Sequence, residues 1–138
     1  MTATNQSLTE GTLRLRRNGL AGGAIALLIL VLAPLTVGAS SAASWAWPLL
    51  LVLCLLSLAF SVHLLFDAAL FRLAASFDTE HTGLAAIDDV LARMGLRAPD
   101  KAAKTLPERL AGCDRLIWRQ RFSLAVGIAI FAVSGLTL

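Results

Sequence analysis

Two long blocks of the chain contain no Asp, Glu, Lys or Arg, and they alternate with segments in which these residues are frequent. The first block runs from Asn18 to Phe66 and the second from Phe122 to Leu138. A helix needs about 20 apolar residues to cross the hydrocarbon core of a bilayer. The first block is therefore long enough for two membrane-spanning helices, and the second for one short span. The pattern predicts an all-α membrane protein with three transmembrane helices.

Small and helix-capping residues divide the first uncharged block into two spans. The run of Gly, Ala and Ser at 38–43 predicts a short loop between a first span at 19–38 and a second at 46–66. Pro48 lies in the first turn of the second span, where the missing amide hydrogen costs little. The two spans form a predicted transmembrane hairpin.

The charged segment at 67–121 carries helical signals of its own. Thr105 and Glu108 form a capping box, which predicts the start of a helix that continues into the third span at 122–138. An amphipathic helix is predicted over 82–95, because apolar residues recur there at helical spacing: Leu84, Ile87, Leu91 and Met94. We expect this helix and extensions of the second and third transmembrane helices to form a small cytoplasmic helical cap.

Basic residues at the ends of the apolar blocks predict the orientation. Residues 1–18 are interpreted as a flexible basic N-terminal tail, and further arginines precede the third span. Under the positive-inside rule, the N-terminus and the 67–121 segment are cytoplasmic and the C-terminus lies on the opposite side. The preference for Arg over Lys and the many Ala and Leu residues are consistent with a bacterial inner (cytoplasmic) membrane.

Two alternatives to three spans remain open at this stage. A basic region followed by apolar and small residues is also typical of a signal peptide, in which case residues 1–42 are cleaved. The apolar stretch is longer than is usual for a signal peptide, which favours a span. The block at 122–138 is short and contains two glycines, so a re-entrant or interfacial element is the second alternative.

The composition excludes several classes of protein. Hydrophobic residues make up 57% of the chain and charged residues 15%, and the mean hydropathy is +0.75. Soluble domains contain about 25% charged residues. The net charge of +3 is small and lies beside apolar blocks, which indicates membrane topology and not a nucleic-acid partner. No nucleotide-binding or hydrolase motif is present, and we expect a non-enzymatic protein without a cofactor or metal.

One pair of polar residues is a candidate for chemistry. His63 lies one helical turn before Asp67, near the predicted cytoplasmic end of the second span. Ionisable groups at such a depth are candidates for a proton relay or a pore. A purely structural role, with hydrogen bonds at the membrane interface, is the more common explanation for such a pair. Cys54 and Cys113 lack the spacing of a metal site or a disulfide framework.

Two further sets of residues are predicted to contact the membrane interface or neighbouring helices. Aromatic and basic side chains at the predicted interface are expected to anchor the helices: Trp45, Trp47, Trp118, Arg119 and Arg121. Small residues permit close helix contact, within the chain or between chains: Gly19, Gly23, Gly127 and Gly135.

These features predict an accessory, assembly or anchoring subunit of a membrane complex, or a self-associating membrane protein. Its expected partners are the lipid bilayer and either other membrane subunits or further copies of itself. The alternative is a homo-oligomeric channel or small-solute exporter with His63 and Asp67 at its cytoplasmic mouth.

Overall fold

The computed structural model describes residues 3–37, 46–96 and 105–136, with side chains at 6–35, 46–96 and 105–134. The described chain forms four helices: α1 (Ala3–Val37), α2 (Ala46–Ala74), α3 (Glu80–Arg93) and α4 (Leu106–Leu136). By length and composition, α1, α2 and α4 are each able to cross a membrane. The predictions of an all-helical chain and of three apolar helices are therefore confirmed.

The three long helices pack against one another and enclose two apolar clusters. The first, which we call the charged-end cluster, includes Leu15, Leu64, Phe71, Ile87 and Ile117. The second, the far-end cluster, includes Ala26, Ile29, Ala33, Leu50 and Cys54. A short layer of buried polar side chains, the buried polar layer, lies between the two clusters along the helices.

The N-terminal segment differs from the prediction. We expected a flexible tail over 1–18, but α1 begins at Ala3 and includes the rest of that segment. Leu8 and Leu15 are only 2% exposed and belong to the charged-end cluster. They are seven residues apart, and this spacing places them on one face of the helix after two turns. Burial of that face orders the segment, so the tail prediction is wrong for the described residues 3–18.

The two predicted extensions of the spanning helices are present. α2 continues past Phe66 to Ala74, and α4 begins at Leu106 and runs without interruption into the last apolar block. The bonds that the Glu108 side chain contributes to the predicted capping box are present. Glu108 Oε2 accepts hydrogen bonds from the Thr105 amide, at 2.9 Å, and from the Thr105 hydroxyl, at 3.1 Å. The last apolar block is thus the end of a longer helix that starts in the charged segment.

α3 is bounded by local signals at both ends. Thr79 caps its start and accepts a hydrogen bond from the Thr82 amide, so the helix begins at Glu80, two residues earlier than predicted. Gly95 has a φ of 69°, and the amide of Leu96 donates to the Leu91 carbonyl at 2.9 Å. This is a Schellman motif, which needs a left-handed residue after the helix. The helix therefore ends at Arg93, two residues before the predicted end at 95.

α3 packs against the end of α2 through its apolar face. Ile87 is buried, while Leu84 and Leu91 are partly buried against the charged-end cluster. The helices approach closely at Gly83, where a Cβ atom would lie 2.6 Å from the Ala74 carbonyl oxygen. Only glycine fits this contact. Met94 was predicted to share the apolar face, but it is the C-cap residue and is exposed.

An ion pair joins α3 to α4. Arg109 donates to Asp88 from Nη2, and the two side chains are only 11% and 19% exposed. The neighbouring residue Asp89 instead pairs with Arg93 of the same helix, at 2.9 Å, on the exposed face. The two acids are therefore adjacent in sequence but lie in different surroundings, which allows a matched comparison.

We predict that Asp88→Asn weakens the packing of α3 much more than Asp89→Asn does. The asparagine keeps an acceptor oxygen but removes the negative charge that faces the mostly buried Arg109, which costs about 1.5–3 kcal/mol. An exposed pair one turn apart on a helix contributes about 0.2–0.5 kcal/mol. Amide hydrogen exchange of α3 in detergent micelles measures the difference. Equal loss of protection in the two variants would contradict the prediction.

Candidate functional site

A layer of buried polar side chains connects α2 and α4 between the two apolar clusters. Gln120 is 1% exposed, and its Nε2 donates to Ser61 Oγ at 2.7 Å. Ser61 in turn donates to the Ser57 carbonyl at 2.9 Å. Ser57 donates to Ser123 Oγ, and Ser123 donates to the Leu53 carbonyl, both at 3.3 Å. Each polar side chain of this layer therefore has a hydrogen-bond partner, as burial requires.

Three glycines of α1 give this layer its space. A Cβ atom on Gly22 would overlap with the Gln120 amide nitrogen and lie 2.6 Å from its Cδ. Cβ atoms on Gly19 and Gly23 would lie 3.2 Å from the Ser61 carbonyl oxygen and 3.3 Å from Ser61 Oγ. Gly19 and Gly23, which the sequence suggested as packing residues, thus lie against α2. Of the three glycines, Gly22 leaves the least space for a side chain.

Sequence reasoning missed Gln120, although a signal for it exists. The residue stands between two arginines at the edge of the last apolar block, a position that suggests exposure. It also lies three residues after Ile117 and three before Ser123, and both of these are buried. A helix places residues at this spacing on one face. The apolar and small residues around Gln120 therefore mark it as part of the buried stripe of α4.

His63 and Asp67 lie one turn apart on α2 but differ in burial and in their contacts. His63 is exposed, and its Nδ1 lies 3.0 Å from the Ala59 carbonyl, where Nδ1–H donates. Asp67 is half-buried and accepts a hydrogen bond from Cys113 Sγ on α4, at 3.5 Å. Among the described residues, no hydrogen bond joins His63 to Asp67. Asp67 thus contacts the inside of the bundle, whereas His63 lies on its outside.

The predicted interface residues of α4 lie near the start of the last apolar block. Trp118 is 70% exposed and stacks on Phe122, with ring centroids 6.1 Å apart and an interplanar angle of 9°. Arg119 is exposed. Arg121 donates from Nη2 to Asn18 Oδ1, at 2.9 Å, and so connects α4 to α1.

The other predicted interface anchors are Trp45 and Trp47, and the other predicted packing residues are Gly127 and Gly135. Trp47 is partly buried against the far-end cluster, while Trp45 lies outside the described residues. At Gly127, an added Cβ would lie 4.0 Å from Leu53 Cβ, which is an ordinary contact. The surroundings of Gly135 lie outside the described side chains.

The described residues include no group of three or more His, Cys, Asp or Glu side chains that could hold a metal ion. Both cysteines are buried and neither forms a disulfide. Comparisons with protein-family models, with curated proteins and with solved structures give no match.

We predict that Gly22→Ala destabilises the bundle because its methyl group displaces Gln120 from Ser61. A hydrogen bond between helices in a membrane protein contributes about 0.6 kcal/mol on average and up to about 1.7 kcal/mol. We expect a loss near the upper value, because the displaced amide stays buried. Unfolding in mixed detergent micelles measures the change.

Two further variants test the cause of this loss. Gly127→Ala adds the same methyl group to a helix of the bundle without a close contact, and it should change stability little. In a Gln120→Ala background, the Gly22 methyl group has room, so the two substitutions should cost less together than their sum. Additive losses would show that Gln120 is not the group that Gly22 accommodates.

Proposed function

We propose that the protein is a non-enzymatic, multi-pass membrane protein that acts as an accessory, assembly or anchoring subunit, or that associates with itself. The observation that carries this proposal is the distribution of polarity in the bundle. The side chains of the buried polar layer between α2 and α4 face the inside of the bundle and are joined by hydrogen bonds. Large apolar side chains cover the outside.

The outer surface supports a membrane location. Exposed large apolar residues occur along all three long helices, including Leu27, Leu28 and Val31 on α1, Val52 and Val62 on α2, and Ile128 and Val133 on α4. Soluble proteins rarely expose contiguous apolar patches of more than a few hundred Å². Lipid chains or the helices of other subunits would cover such an apolar surface and exclude water from it.

The burial of the polar layer between the two clusters supports a role in association rather than in catalysis. An active site usually presents several polar groups in one accessible pocket. In the middle of this bundle, Gln120 and Ser57 are fully buried. Gln120 is hydrogen-bonded to Ser61, and Ser57 is hydrogen-bonded to Ser123. We infer that the protein meets its partners through the exposed helix faces and through its charged end.

The position of the basic residues supports the predicted orientation. Arg14 of α1 pairs with Asp114 of α4 at 3.1 Å, and Arg121 of α4 binds Asn18 of α1. The basic ends of α1 and α4 therefore lie side by side at the end of the bundle that contains α3. Under the positive-inside rule, we propose that this end, including α3, is cytoplasmic in a bacterial inner membrane.

A photo-crosslinking experiment in native membranes tests the proposed association. A photoreactive residue is placed on the outside of each long helix, at Leu28, Val62 and Val133, and at buried Ser57 as a control. Val62 is 64% exposed and Ser57 is 0% exposed. We expect at least one outer position to link the chain to a second copy or to another membrane protein. Native mass spectrometry then gives the stoichiometry.

The control position should give only internal products, since its neighbours belong to the same chain. Recovery of the monomer alone from every outer position, without a partner in native mass spectrometry, would reject the proposal.

The second candidate function is a homo-oligomeric channel or small-solute exporter. It is favoured by the exposure of His63 on the outside of α2, one turn from Asp67. A side chain on the outside of one chain can line a pore that several chains form together. We expect reconstituted protein to show a flux that His63→Ala changes and that Val62→Ala, at the adjacent exposed position, leaves unaltered. Absence of flux from the unmodified protein in liposomes would exclude this function.

A further inference from the structure

An open groove of about 500 Å³ lies between α1 and α2 at the charged end of the bundle. One wall is formed by α1, with Thr12 and Arg16, and the other by α2, with Leu65, Ala68, Ala69 and Arg72. The groove exists because the α2 wall consists largely of alanines. Their short side chains leave space between two helices that elsewhere pack closely.

Two arginines face this groove from opposite walls. Arg16 and Arg72 are both exposed, and neither forms an ion pair or a hydrogen bond within the described part of the chain. Arg14, Arg93 and Arg109, by contrast, each pair with an aspartate. No lining residue of the groove is acidic. Two guanidinium groups without a counterion are suited to bind an anion, and phosphate matches their donor geometry.

The surroundings of the groove indicate an amphiphilic ligand. Arg16 lies two residues before the long uncharged block, so the groove is at the boundary between charged and apolar surfaces. Leu13 and Leu65 add apolar lining, and exposed Leu20 continues the apolar surface along α1. An acyl chain can follow this surface while its headgroup remains beside the arginines. A soluble phosphate compound would not use the apolar part.

We propose that this groove is a binding site for an anionic phospholipid, with Arg16 and Arg72 contacting its phosphate. The proposal rests on the membrane location given under Proposed function. Basic pockets between transmembrane helices on the cytoplasmic side are suited to anionic headgroups. The charge and shape of the groove thus add a specific lipid contact to the general contact with the bilayer.

Native mass spectrometry of the full chain, released from nanodiscs, tests the site. Nanodiscs contain phosphatidylcholine with either phosphatidylglycerol or cardiolipin, and retained lipids are counted. We expect the unmodified protein to retain an anionic lipid, and Arg16→Gln/Arg72→Gln to retain roughly thirtyfold less, given the energy of two basic residues near an anionic headgroup. Ala69→Leu, which fills the groove without a change in charge, should also reduce retention.

The matched control is Arg17→Gln/Arg115→Gln. It removes the same charge from two exposed arginines, and neither of them lines the groove. The control should keep the lipid. An equal loss in the control and in the groove variant would overturn the proposal in favour of a general attraction to anionic lipid. Inorganic phosphate, added as a competitor, should not displace the lipid, and efficient displacement would overturn the lipid assignment.

The outcomes also separate this site from the proposed function. If the unmodified chain fractionates with membranes and crosslinks to a partner but retains no anionic lipid, the lipid site is wrong and the proposed function stands. If the chain does not fractionate with membranes, both are wrong.

Discussion

A buried amide in an apolar environment must find hydrogen-bond partners, and Gln120 brings this requirement into the centre of the bundle. The cost of an unpaired polar group is highest where no water is present. Ser61 accepts the bond, and the absence of a side chain at Gly22 leaves the amide room beside α1. These contacts fix the distance between the three long helices and the rotation of α4. The apolar clusters on either side depend on the alignment that results.

The two ends of the bundle are stabilised in different ways. At the charged end, apolar packing is combined with ion pairs, and the mostly buried contact between Asp88 and Arg109 ties α3 to α4. At the far end, small residues such as Ala26, Ala33 and Ala46 allow close helix packing. The ion pairs between described residues lie at the charged end.

Features that depend on neighbours in sequence could be predicted, and those that depend on distant contacts could not. The three long helices follow from the apolar blocks, and the capping box at Thr105 and the stop at Gly95 follow from short-range backbone bonds. The start of α1 depends on the burial of Leu8 by other helices, which an N-terminal segment rich in polar residues does not reveal. The role of Gln120 depends on Ser61, far away in sequence. The spacing of His63 and Asp67 predicts that they share a helix face, but it does not predict which residues each side chain contacts.

The continuity of α4 has a mechanical consequence. Arg109 and Gln120 lie on the same unbroken helix, about 16 Å apart along its axis. A continuous hydrogen-bonded helix carries a rotation of one end to the other. A partner that pulled α3 away through Asp88 would therefore twist α4 and strain the bond between Gln120 and Ser61 inside the bundle. The charged end and the buried polar layer are in this way mechanically linked.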